Sequence, residues 1–144
     1  MTIRPARPDE APAVAAAYDW LFAPPGGVSP HWDAAVAAER LRAVMASDRS
    51  TVLVTDGLTG FCTVSLDLLS VRFGQRAWVE DLAVDPEHRS EGIGKALLDA
   101  ARDWAKERGA SHLELDSGDA RSDAHRFYER EQPAWRSRCF GYVL

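Results

Sequence analysis

The sequence has few cysteines and no long hydrophobic run, and each absence excludes a class of protein. Its only cysteines, Cys62 and Cys139, are too few for a disulfide scaffold and lack the C-x-x-C spacing of a redox motif. No window approaches the roughly 18 consecutive apolar residues of a membrane helix, and no basic start precedes an apolar stretch. We therefore expect two ordinary thiols in a cytoplasmic protein that has no membrane partner and is not exported.

Concentrated positive charge and metal-binding motifs are also missing. The formal net charge is −5 and no run of five or six basic residues occurs, which argues against a nucleic-acid partner. The four histidines never combine with a carboxylate in a spacing such as H-E-x-x-H, so we expect no metal. With 46% hydrophobic residues and no linker-like tract, residues 1–144 are expected to form one domain.

The apolar pattern predicts an α/β (α+β) fold. Helical spacing covers 8–22, and a second helix is expected from Ser29 to about Ala46. Three β-rich runs follow at 51–55, 60–69 and 77–84, and the Asp-Gly pair between the first two is a turn signal. This part of the sheet is therefore predicted to be antiparallel.

The clearest helix begins at Ile93. Apolar residues recur along it at intervals of three and four, and Gly109 stands where a C-cap is expected. Because the alternating segment 112–116 follows, the strand 77–84, this helix and that segment predict a βαβ unit with parallel pairing. The pattern ends with two further predicted elements, a helix over 122–131 and a strand over 136–144.

The segment 89–95, Arg-Ser-Glu-Gly-Ile-Gly-Lys, is a candidate anion site at the start of that helix. Glycines let a ligand approach the backbone, and a helix start offers N–H groups without partners. A dinucleotide-binding turn would need a third glycine at Leu97, and a nucleotide P-loop would need glycine at Arg89 and Ser or Thr at Ala96. A plain helix-start turn is the remaining alternative on the glycines alone.

Three motifs together resemble the GCN5-related N-acetyltransferase (GNAT) superfamily. Arg89-x-x-Gly92-x-Gly94 is similar to the pyrophosphate motif of that family, R/Q-x-x-G-x-G/A. The stretch 79–86, Val-Glu-Asp-Leu-Ala-Val-Asp-Pro, resembles the preceding strand, and 124–129, Ala-His-Arg-Phe-Tyr-Glu, resembles the later A-x-x-F-Y motif. The motifs occur in the family's order, so the resemblance covers nearly the whole chain.

The resemblance implies a mixed, mostly antiparallel central sheet with a splayed parallel pair, flanked by about four helices, and acetyl-CoA as the cosubstrate. The splayed strand would free backbone groups for the pantetheine arm and for the oxyanion at three positions, Leu82, Ala83 and Val84. The pyrophosphate would bind the loop residues Arg89, Ser90, Glu91, Gly92, Ile93, Gly94 and Lys95.

The resemblance also implies catalytic roles for two side chains. Tyr128 stands at the tyrosine of the A-x-x-F-Y motif, where it would be the general acid for the thiolate, and aromatic core packing is the alternative. Glu80 is similar to acids that deprotonate the amine, and a surface glutamate is the alternative. Asp81, Glu114 and Asp116 are rival bases, and strand alternation is expected to put Glu80 and Asp81 on opposite faces.

Two departures from the family affect the ligand contacts. Arg121 stands where many members have an asparagine, so a coenzyme contact there would be a charge contact to phosphate. The segment 132–135, Gln-Pro-Ala-Trp, replaces the usual Gly-Phe, so substrate contacts are not transferred to it. The acceptor is expected between the first two helices and the sheet, where four aromatic residues either line a pocket or belong to the core: Trp20, Phe22, Trp32 and Trp78.

The implied function is transfer of an acetyl group from acetyl-CoA to a primary amine, by direct transfer, with a small-molecule amine as the acceptor. Two alternatives stay open at this point. One is a non-catalytic acyl-CoA sensor or interaction module, and the other is an acetyltransferase that acts on lysines or N-termini of proteins. The sequence also leaves open a homodimer.

Overall fold

The β-branched and aromatic runs form a five-stranded sheet in the computed structural model, which describes residues 1–144. The strands lie in chain order and are β1 Ile3–Pro5, β2 Ser50–Thr55, β3 Gly60–Ser70, β4 Gly74–Val84 and β5 His112–Glu114. Neighbours from β1 to β4 pair antiparallel, and β4 pairs parallel with β5. The predicted mixed, mostly antiparallel sheet is confirmed.

Helices cover both faces of the sheet. They are α1 Ala11–Ala17, α2 Asp19–Phe22, α3 Ala34–Ala46, α4 Ile93–Glu107 and α5 Ser122–Arg130. The predicted first helix is therefore interrupted at Tyr18, which ends α1 and precedes the one-turn α2. None of these helices is both long enough and apolar enough to traverse a bilayer.

The start of α3 differs from the prediction. Ser29 lies in a loop, and the helix begins after Asp33, whose carboxylate accepts hydrogen bonds from the N–H groups of Ala35 and Val36 at 2.9 and 3.1 Å. A capping carboxylate satisfies N–H groups that have no partner within the helix. The Asp33 cap therefore starts α3 at Ala34, later in the chain than the predicted start at Ser29.

Two apolar clusters hold the layers together, one on each face of the sheet. On one face α1 and α3 pack on Val52, Val54 and Phe61. On the other face α4 packs on β3 and β4, and its Leu97 has no exposed surface. Complete burial of such a side chain contributes about 1.5–3 kcal/mol.

A close contact at Gly60 fixes the start of α4 against β3. A Cβ at this position would lie 2.6 Å from Cγ2 of Ile93 and 3.0 Å from Cδ1 of Leu97. Any side chain here would push the helix away from the sheet. The glycine therefore lets the first turn of α4 lie beside the end of β4, where the candidate site is found.

The predicted strand 136–144 is not formed, and this prediction was wrong. After α5 the chain has no regular structure and is exposed from Gln132 onward. Side chains attach the start of this segment instead, since Trp135 Nε1 donates to Glu114 at 3.1 Å and Arg136 pairs with Glu129. A segment of high β-propensity becomes a strand only where it can pair with the edge of a sheet. The neighbouring edge strand, β5, is only three residues long.

Candidate active site

A β-bulge in β4 determines where the acidic side chains lie. Asp81 is opposite Thr63 in β3, but the next pair joins Val79 to Val64, so Glu80 has no partner. The extra residue resets the alternation of side chains, and Glu80 and Asp81 line the same two cavities. The expectation that they face opposite sides was therefore wrong, because it assumed a regular strand.

Beyond the bulge, β4 separates from β5. Parallel pairing ends at Trp78 opposite Glu114, and the remainder of β4 is paired only with β3. Asp85 N–H donates to Thr59 O at 2.9 Å, on the β3 side, and backbone groups alternate in direction along a strand. The backbone groups of Leu82 and Val84 therefore face the open side.

Ala83 lies opposite Phe61 in the ladder, and its small side chain is buried. By the same alternation, its N–H and C=O groups face β3 and are used within the sheet. Of the three positions named from the resemblance, Leu82 and Val84 thus have backbone groups that are free for a ligand.

The glycine loop leads from β4 into α4 through left-handed backbone. Ser90 has φ 65° and Gly92, the N-cap of α4, has φ 81°. A Cβ on Gly92 would meet nothing within 4 Å, whereas one on Gly94 would lie 3.4 Å from Phe127 of α5. The helix therefore begins at an open surface, with its first N–H groups available to an anion.

The charged side chains of the loop differ in their surroundings. Lys95 Nζ lies 2.7 Å from Asp99 and 3.5 Å from Glu131, and His88 Nδ1 lies 3.3 Å from Glu91. Arg89 is exposed and has no ion pair. Its guanidinium is therefore the loop cation that is not already neutralised by a carboxylate.

Two adjoining cavities lie beside the bulge. The first, of about 480 Å³, extends under α3, and the second, of about 390 Å³, extends towards α5. Each has a volume within the range of small-molecule sites. The two cavities share four of their lining residues, which are Tyr18, Trp32, Glu80 and Asp81.

Asp81 is held by Tyr18, a residue that no sequence motif indicated. Tyr18 Oη donates to Asp81 Oδ2 at 2.6 Å, and the Asp81 N–H donates to Thr63 Oγ1 at 3.0 Å. Burial raises the pKa of Asp81, the Tyr18 hydrogen bond opposes that rise, and the neighbouring Glu80 charge adds to it. Burial and the Asp81 charge together raise the pKa of Tyr18, so its hydroxyl stays protonated.

Glu80 is more accessible than Asp81. Its Oε2 accepts from Trp78 Nε1 at 2.7 Å, and the side chain is exposed at the cavities. Among the rival acids, Asp116 lines the second cavity, whereas Glu114 is bound by Arg76 and Trp135. The structure thus brings Glu80, Asp81 and Asp116 together and leaves Glu114 outside.

Tyr128 of α5 lines the second cavity with Glu80 and Leu82. Burial raises the pKa of Tyr128 to about 12, so the phenol is a hydrogen-bond donor at neutral pH. Ser117 Oγ, in the same wall, is buried without a hydrogen-bond partner. A buried polar atom without a partner costs roughly 1–3 kcal/mol, which favours a ligand or water at this wall.

Arg121 and the aromatic residues complete the walls. Arg121 Nη2 donates to Leu21 O at 3.0 Å, which ties the start of α5 to α2. Burial raises the pKa of Asp81, and the Arg121 charge opposes part of that rise. Trp78 lines the first cavity, and Phe22 lines the second, whereas Trp20 packs on Phe61 in the core. No group of three or more His, Cys, Asp or Glu side chains is arranged to hold a metal ion.

A splayed parallel pair, a bulge beside it and a glycine loop at a helix start define an acetyltransferase fold. The chain belongs to the acetyltransferase (GNAT) family, whose sequence model matches residues 14–132. This confirms the resemblance found in the sequence motifs. A solved structure of aminoglycoside N-acetyltransferase AAC(6')-Iy in complex with CoA has a TM-score of 0.81, with 16% identity, over 99% of this chain and 93% of that one.

Curated relatives match over shorter segments. The chain is 45% identical over 64 residues to the uncharacterized N-acetyltransferase YhdJ of Bacillus subtilis (strain 168), a match covering 44% of this chain and 45% of the relative. It is 41% identical over 87 residues to streptothricin acetyltransferase of Streptomyces lavendulae, covering 59% of this chain and 44% of the relative. The matched segments thus span less than half the length of these relatives.

The raised pKa of Asp81 predicts a pH-dependent contribution to stability. Because the folded pKa exceeds the ordinary value of 3.8, the folded state binds this proton more tightly than the unfolded state does. The resulting stabilisation is fully present below the unfolded pKa and is lost as pH rises through the folded pKa. Asp81→Asn cannot ionise but can still accept from Tyr18, so it should gain stability relative to the wild type as pH rises from about 4 to 7. Urea unfolding at several pH values measures this, and a constant difference would contradict the raised pKa.

Proposed function

We propose that this protein transfers an acetyl group from acetyl-CoA to the primary amine of a small molecule, by direct transfer between two bound substrates. The observation that carries the proposal is that Glu80 and Tyr128 line one cavity beside the opening between β4 and β5. A base for the amine and an acid for the leaving thiol are the two proton carriers that this reaction needs.

The residues around the opening fit the coenzyme. The pyrophosphate would be held by N–H groups of the loop 89–95, together with the Arg89 guanidinium. The free backbone groups of Leu82 and Val84 would pair with the amides of the pantetheine arm, much as a further strand would. Ser117 Oγ, which lacks a partner in the protein, offers another hydrogen bond. When bound, the coenzyme supplies the acetyl thioester.

Glu80 would prepare the amine for attack. A primary alkylamine is mostly protonated at neutral pH, and the resulting ammonium must lose a proton before its nitrogen can act as a nucleophile. The Glu80 carboxylate is exposed to both cavities and is held by Trp78 at one oxygen, which leaves the other for the amine or for a bridging water. Asp81 is less suitable, because Tyr18 occupies one of its oxygens.

The protein would stabilise charge at two points as the acetyl group moves. A backbone N–H of Leu82 or Val84 on the open side of β4 can donate to the carbonyl oxygen as it becomes negative, an interaction that can contribute about 3–4 kcal/mol. Tyr128 Oη would donate its proton to the departing sulfur. Its raised pKa keeps that proton in place until the carbon–sulfur bond breaks.

The composition of the cavities supports a small amine as the acceptor. Carboxylates and aromatic faces attract alkylammonium groups, and Trp32 and Trp78 line the first cavity with Glu80 and Asp81. Streptothricin, named for one relative, and aminoglycosides, named for one solved structure of similar fold, are small molecules. Side chains of α3 line the first cavity and side chains of α5 line the second, and volumes of about 480 and 390 Å³ suit a small molecule.

The proposal is tested by measuring thiol release from acetyl-CoA with a panel of small amines, and acetylated product by mass spectrometry. We expect thiol and product in equal amounts for at least one amine. A protein that binds the coenzyme, as measured by calorimetry, but releases no thiol with any amine would be a sensor. Acetylation of peptides with no small amine accepted would instead favour a protein acetyltransferase.

Glu80→Gln should slow acetylation by roughly 10²–10⁴-fold in kcat while coenzyme affinity is retained, because the amide cannot accept the amine's proton. The remaining rate should rise with pH as the free amine becomes more abundant. Asp81→Asn is the matched control, since it changes the adjacent carboxylate on the same side of β4. A larger loss in Asp81→Asn than in Glu80→Gln would reassign the base.

Tyr128→Phe removes only the hydroxyl and should lower kcat by roughly 10²–10⁴-fold with unchanged coenzyme affinity. Because the hydroxyl has no partner in the protein, stability should change by less than about 1 kcal/mol. A thioester with a more acidic thiol needs less protonation and should recover part of the lost rate. If Tyr128→Phe slows acetylation equally with both thioesters, Tyr128 acts in packing or positioning and is not the general acid.

A further inference from the structure

Arg40 adds a positive charge to the wall of the cavity that holds the two carboxylates. It lies on α3, is exposed, and lines the first cavity together with Glu80 and Asp81. Several arginines of the protein are paired with acids beside them, as Arg4 is with Glu10 and Arg76 with Asp67. Arg40 makes no ion pair and no side-chain hydrogen bond. Opposite charges therefore share one cavity without neutralising each other.

The remainder of the lining is apolar, with hydroxyl groups. Leu41 and Val44 of α3 contribute aliphatic surface, and Trp32 and Trp78 contribute aromatic surface. Ser65 lies in the same wall. A cavity of about 480 Å³ lined in this way suits a small molecule that has an apolar middle and a charge of each sign.

We infer that Arg40 binds an anionic group of the acceptor, a carboxylate or phosphonate, while the acceptor's amine lies at Glu80. A guanidinium donates two parallel hydrogen bonds to such a group, and this fixes orientation as well as adding affinity. Binding at Arg40 would thus hold the amine at the base. The acceptor class is then an amino acid-like zwitterion rather than a diamine, an inference that rests on the proposed acetyltransferase function.

The test compares ω-amino acids, from glycine to 6-aminohexanoate, with the corresponding amides and with diamines of the same lengths. At the best length, the wild type should acetylate the amino acid with a kcat/KM about tenfold or more above that of the amide. Arg40→Gln should remove this preference by raising KM for the amino acid about tenfold or more, and should leave the amide unchanged. Arg40→Lys should keep part of the preference, because it retains the charge without the planar pair of donors.

Arg42→Gln is the matched control, since Arg42 lies two positions further along the same helix, is exposed, and does not line the cavity. It should behave as the wild type with every amine. Preference of the wild type for amides or diamines, or equal loss on amino acid and amide in Arg40→Gln, would overturn the inference and leave the proposed function standing. Absence of thiol release with every amine would overturn the proposed function and this inference with it.

Discussion

The extra residue at Glu80 is the constraint on which the rest of the site depends. It allows two consecutive carboxylates of a central strand, Glu80 and Asp81, to lie on one side of the sheet. A regular strand would put one of them among the apolar side chains that face α4, where an unpaired charge would cost several kcal/mol or take up a proton. On the α1 side, Asp81 instead meets the Tyr18 hydroxyl.

The bulge also relates the acids to the opening in the sheet. Parallel pairing with β5 stops at Trp78, two residues before Glu80, and bulges increase the bend and twist of the strand that carries them. The second half of β4 therefore runs free of β5, with unsatisfied backbone groups along that side. The start of α4, held against β3 by the contact at Gly60, and Tyr128 of α5 both lie beside this half. The acids of β4, the start of α4 and Tyr128 of α5 therefore lie around one opening in the sheet.

The parts of this arrangement that could be predicted are those encoded by local pattern. Three features follow from the spacing of nearby residues and are present in the structure. They are the apolar face of α4, the Asp-Gly turn between β2 and β3, and the glycine loop before α4. The bulge could not be predicted in this way, because it is a property of the register between β3 and β4. Tyr18 was missed for a similar reason, since its partner Asp81 is 63 residues away. The prediction of a strand over 136–144 was wrong because β-propensity does not indicate whether a sheet edge is available to pair with the segment.

The cavities are lined partly by strands of the sheet and partly by segments outside it. Glu80 and Asp81 are carried by β4, which pairs with β3 on both sides of the bulge. Much of the wall around them comes from segments outside the sheet, which are α2, the loop before α3, α3 itself and the start of α5. The Arg121 side chain joins α2 to the start of α5. Segments outside a sheet tolerate change more readily than the strands that support them. Substitutions in these walls can therefore change which molecules fit the cavities while the carboxylates keep their positions.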